Sequence, residues 1–111
     1  MTKEELVAQL KCRASAAERA VREFARVLTE RPAYELSWSS GTFRAAAEFD
    51  VFTFVLEALD GKATPESVRA FAEDEVRKRT LHRSRSTSVT CDLMEQEKGR
   101  AWARLIDILS R

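Results

Sequence analysis

A chain of 111 residues, 44% apolar and 33% charged, reads as one ordinary globular domain with a single core. Its formal charge of +1 gives no overall field to gather nucleic acid or an anionic membrane surface. Cys12, Cys91 and the lone His82 are too few ligands for a disulfide framework or a zinc site, so two reduced, structural thiols in a cytoplasmic protein are expected.

The first residues, MTKEELVAQLK, are charged where a signal peptide needs an apolar stretch, so export by that route is not expected. Residues 3–30 form the clearest helix. Leu6, Leu10, Ala14, Ala17, Val21, Phe24 and Leu28 recur at spacings of three and four and share one face. Thr2 and Glu5 have the spacing of a capping box, and Arg31-Pro32 ends the helix. Unbroken, such a helix is ~40 Å long, while a compact sphere of this chain length is only ~34 Å across. An elongated bundle or a dimer is therefore expected.

PAYELSWSSG, residues 32–41, reads as the main connector, with Ser39 or Ser40 capping the helix that follows. Tyr34, Leu36 and Trp38, spaced by two, suit a short extended piece. Trp38 would pin the connector to the domain, or with Tyr34 would anchor a partner.

The second helix is expected over 42–60, closing at Gly61. Asp50, Thr53, Glu57 and Asp60 share a narrow stripe, and Phe43, Phe49, Val51, Phe52, Phe54, Val55, Leu56 and Leu59 fill most of the remaining circumference. A helix apolar nearly all round has to be surrounded. Leaving three such side chains in water forgoes ~5–9 kcal/mol, comparable to the stability of a small domain. Either the other three helices enclose it, or a second chain does.

Thr64-Pro65-Glu66 opens a third helix, 65–82, with a capping Thr, Pro at its first position and an acid in its first turn. Val68, Phe71, Ala72 and Val76 give it one buried face. After the polar STSVT, a fourth helix is expected over 91–110, with Asp92 and Glu95 as capping box. Leu93, Ala101, Trp102, Leu105, Ile106, Ile108 and Leu109 carry its apolar surface. Gly99 weakens its middle by about 1 kcal/mol relative to Ala, or permits close contact with a neighbour. The whole reads as an all-α, four-helix bundle-like single domain, dimeric, with a long N-terminal helix.

No nucleophile motif or acid–base constellation appears, and no cofactor, metal or catalytic residue is expected. No apolar run approaches the ~18 residues of a membrane span. Arg77, Lys78, Arg79, Arg83 and Arg85 place five positive charges within nine residues. Such a run suits a polyanion or an acidic partner. Against nucleic acid, residues 35–60 hold five acids and one base, and a helix-turn-helix reading would put Glu66 in the groove.

Over SWSSGTFRAAAEFDVFTFVLEAL, residues 37–59, and in its size and helical organisation, the chain resembles the small all-helical quorum-sensing anti-activators that bind LuxR-type transcription activators. The resemblance implies a protein that sequesters the activator's ligand-binding domain, blocks its dimerisation and carries no DNA-binding domain of its own. The expectation is thus a non-enzymatic, homodimeric, protein-binding regulator that inhibits a transcription activator. Its interface residues would be Phe49, Phe52, Val55 and Leu56, with Tyr34 and Trp38 secondary. The alternatives are a nucleic-acid binder using residues 77–85 and a structural or accessory helical dimer.

Overall fold

Thr2 starts the first helix as its sequence dictates. The Glu5 amide donates to Thr2 Oγ1 at 3.2 Å and the Leu6 amide to the Thr2 carbonyl at 3.0 Å. The computed structural model describes the backbone of residues 1–30, 35–81 and 89–111, and the side chains of 1–26, 41–79 and 93–111. Four helices make up the described chain: α1 (Lys3–Glu30), α2 (Glu35–Asp60), α3 (Pro65–Leu81) and α4 (Val89–Leu109). No strand occurs among the described residues.

The α3 start is capped reciprocally. The Ser67 amide donates to Thr64 Oγ1 at 3.2 Å, and the Thr64 amide donates to Ser67 Oγ at 2.9 Å. Ser67 thereby does the work a glutamate does in the usual capping box.

Two expected helix starts move. Helix α2 begins at Glu35, so neither Ser39 nor Ser40 caps it, and Leu36 and Trp38 are helical rather than extended. The reason lies in tertiary packing, which overrides the weak helix propensity of Ser and Gly. A Cβ at Gly41 would stand 3.1 Å from Phe24 Cζ, so the bare glycine lets α1 and α2 approach there. Helix α4 begins at Val89, which removes Asp92 from any cap position. Gly61 closes α2 without a left-handed conformation; its amide bonds the Ala58 carbonyl at 3.1 Å, and the Ala63 amide shares that acceptor at 3.2 Å.

Close backbone packing joins α1 to α2, α3 to α4, and α2 to α4, so two antiparallel hairpins dock through α2 and α4. Lys3 Nζ donates to the Gly61 carbonyl at 3.4 Å, and Met1, Pro65 and Leu109 line one depression. The α1 and α3 starts thus meet the α2 and α4 ends. The core runs through the middle: Leu6, Leu10 and Ala14 of α1, Val51, Phe52, Val55 and Leu59 of α2, Val68 and Ala72 of α3, and Ala101, Trp102, Leu105 and Ile108 of α4. No polar or charged residue is buried with them among the described residues.

The molecule measures 45 × 31 × 23 Å with a radius of gyration of 15.1 Å. It is elongated enough to seat α1 along its length without a second copy. Cys12 is exposed rather than structural, because it lies off the Leu6–Leu10–Ala14 stripe. Cys91 falls outside the described side chains. No helix of the described residues is long and apolar enough to cross a membrane.

Candidate functional site

Helix α2 is enclosed on one side only. Phe52 is 0% exposed, but Phe54, two residues on and about 200° round the axis, is 51% exposed. Its neighbour across the gap, Phe71 of α3, is 43% exposed, although its sequence position suggested a buried face. The two rings lie 5.6 Å apart between centroids, and both rest on Trp102 of α4, at 6.1 and 5.3 Å. Trp102 is 5% exposed and forms the floor. The edge-on Phe54–Trp102 pair and the tilted Phe71–Trp102 pair are attractive aromatic geometries.

These rings sit in an open groove of about 480 Å³ between α2 and α3, with α4 beneath. Phe49, Thr53, Asp50 and Glu57 extend the α2 wall, Glu75 and Arg79 the α3 wall, and Lys98 stands beside Trp102 on α4. An almost wholly apolar hollow of about 240 Å³, reaching Ala58, Ala63 and Val68, continues it toward the α2–α3 turn. The groove exists because α3 leans on α4 rather than closing over α2.

The α3 wall neutralises itself. Arg77 and Lys78 pair with Asp74, the latter at 3.0 Å; Lys78 also lies 3.9 Å from Glu75. Arg79 pairs with Glu75 one turn back and stands 3.3 Å from Glu95 of α4. Hydrogen bonds from Lys78 and Arg77 hold the Asp74 carboxyl below the usual carboxylate range, and an Arg26 hydrogen bond does the same for Glu23 on α1. Arg104 of α4 lies 2.8 Å from Glu48, which also meets Arg44 at 3.4 Å and so ties α4 to α2. The Nε atoms of Arg79 and Arg104 are at ion-pair distance but not in hydrogen-bond alignment, so these contacts act as charge pairs.

The interface residues expected from sequence separate. Phe49 lines the groove. Phe52 and Val55 do not: both are core, because α1 and α4 cover that side of α2. Leu56 is half-buried against the core. Tyr34, Arg83 and Arg85 lie outside the described residues, as does the Trp38 side chain. Arg77 and Lys78 are exposed but paired with acids of their own helix, and Arg79 is partly buried.

Phe54, Phe71 and Trp102 were not singled out by sequence reasoning. A signal was present for two of them. Phe54 stands in the row Asp50–Phe54–Glu57, and Phe71 in the row Ser67–Phe71–Asp74–Lys78, each a lone ring among polar neighbours at helical spacing.

No group of His, Cys, Asp and Glu among the described residues could hold a metal ion. No protein-family model, no curated protein and no solved structure matches the chain.

Proposed function

We propose that this chain is a non-enzymatic protein-binding module whose contact surface is the α2–α3 groove. The observation that carries the reading is the pair of half-exposed rings, Phe54 and Phe71, seated on a buried tryptophan. Two neighbouring aromatic rings left in water are costly to a monomer and match the residue types that dominate protein interfaces. The groove has two helical walls and an apolar floor, the form in which amphipathic helices are received.

Regulation by occlusion is the role such a surface suits. A module that covers the apolar face of a transcription activator's dimerisation region would hold that activator inactive. This finer reading, an anti-activator in quorum sensing, rests on the resemblance over residues 37–59. Self-pairing through the same rings would make target and second copy competitors for one patch. The local neutrality of α3, where Glu73, Asp74 and Glu75 offset Arg77, Lys78 and Arg79, argues for a protein partner over nucleic acid.

The test compares the wild-type chain with a Phe54→Ser/Phe71→Ser variant as bait in the native cytoplasm. A partner held by the wild type, lost with the variant, and bound directly once purified supports the module. If that partner is a LuxR-type activator whose dimer dissociates on binding, the anti-activator role follows. Equal recovery by both baits refutes the groove as the contact surface.

A further inference from the structure

We infer that the groove receives an amphipathic helix of a partner protein whose apolar stripe is bordered, on the side facing α2, by two basic residues seven positions apart. The inference rests on the protein-binding reading above and specifies the partner's chemistry.

Five charged side chains line the groove, and they are not equivalent. Glu75 and Arg79 satisfy each other, and Arg79 has Glu95 besides. Glu48, the next acid along α2, is occupied by Arg44 and Arg104. Asp50 and Glu57 are exposed, and neither has an ion-pair partner among the described residues. Among the described residues, the α2 wall therefore keeps two negative charges without an ion-pair partner, while Glu75 and Arg79 of the α3 wall are paired. Lys98, also without an ion-pair partner among the described residues, lines the same groove from α4.

Seven residues are nearly two turns, so Asp50 and Glu57 project from the same side of α2 at a separation of about 10.5 Å along its axis. Phe54 lies between them. A helix laid along α2 repeats its own side chains at that same interval. Two bases at such positions meet the two acids, and the apolar residues between them fall on the Phe54–Phe71 pair. An acid on the helix's contact face can meet Lys98 on α4.

Other occupants fit less well. The exposed large apolar residues of the described chain are Met1, Phe54, Phe71 and Leu93. Among the described side chains, a second copy offers the groove two isolated residues or another groove, hollow against hollow. A small ammonium ligand needs a slot between aromatic faces. The three rings here are already in contact, at 5.3–6.1 Å between centroids.

The experiment uses two fluorescein-labelled designed helical peptides of about 18 residues, long enough to hold helix. They share one leucine stripe and differ only in carrying Lys or Glu at the two bordering positions. Anisotropy titration with the full-length chain at low salt is expected to show the Lys peptide binding about tenfold tighter, as two surface charge pairs allow. The preference should shrink in high salt and reverse with an Asp50→Lys/Glu57→Lys chain, whose helicity by circular dichroism confirms folding. Equal binding of the two peptides, or an order unchanged by the charge reversal, overturns the inference. If binding is equal but is lost with Phe54→Ser/Phe71→Ser, the protein-binding groove stands and only its charge code falls. Absence of binding by either peptide overturns the inference too, as does a wild-type dimer that those two serines dissociate, since the occupant is then a second copy.

Discussion

Phe52 and Phe54 are the same residue type, two positions apart on α2, with opposite fates. One is wholly enclosed by the two hairpins, and the other stands half in water above Trp102. Apolar content fixes how much of a helix wants cover, whereas the docking of its neighbours fixes which part gets it. Here α1 and α4 take one side of α2, and α3 is spent on α4.

The largest effect that separates the two faces is on stability. Phe52→Ala should cost about 3–5 kcal/mol, the range for deleting a buried ring, and so remove much of the stability of a domain this size. Phe54→Ser with Phe71→Ser should cost about 1–2 kcal/mol, mostly lost ring contacts, while abolishing partner binding. Urea unfolding followed by helical circular dichroism measures both. Equal destabilisation would mean that the groove rings are core after all and would erase the contrast between the faces.

What the sequence made legible follows the same division. Helix number and type came from unbroken apolar periodicity and from caps whose hydrogen bonds are local, as at Thr2 and Thr64. The early start of α2 was hidden because Ser39, Ser40 and Gly41 look like a connector; only the distant Phe24 ring explains a glycine inside the helix. An excess of apolar surface on α2 was readable, and the groove is where part of it surfaces. Its exact place was not, because period 3.6 gives a residue's angle on its helix but not where the next hairpin docks. Phe52 and Val55 were expected outside for that reason, and Phe71 inside.

Two helical glycines differ in the same way at smaller amplitude. Gly41→Ala would push a methyl to 3.1 Å from the Phe24 ring on the closed side of α2, where the neighbour is a rigid ring. Overpacking there outweighs the gain in helix propensity, for an expected net loss of about 1 kcal/mol. Gly99→Ala meets Arg79 Cδ at 3.3 Å, part of a flexible side chain that can shift, so a net gain of about 0.5 kcal/mol is expected. Opposite signs in thermal unfolding would support the contrast between a rigid and a yielding contact. A stabilising Gly41→Ala would show that α1 and α2 do not need that close approach.

The smallest effect concerns charge, and it distinguishes the self-neutralised α3 from the unpaired wall of α2. Lys78 first and Arg77 second stabilise the ionised Asp74, so its carboxyl titrates lower in the folded chain than in the unfolded one. Its contribution to stability is therefore full above the unfolded value near 3.9 and disappears as pH falls through the folded value. Because Asp74 is exposed, solvent and salt weaken the effect. An Asp74→Asn chain should melt slightly below wild type from pH 5 to 7, and the two curves should converge at the acid end. The same substitution at Asp50, which has no ion-pair partner among the described residues, should leave the melting temperature at pH 7 unchanged. A matching loss at Asp50 would show that its charge is already satisfied within the chain, and Glu57 alone would then remain on the α2 wall to meet a partner's bases.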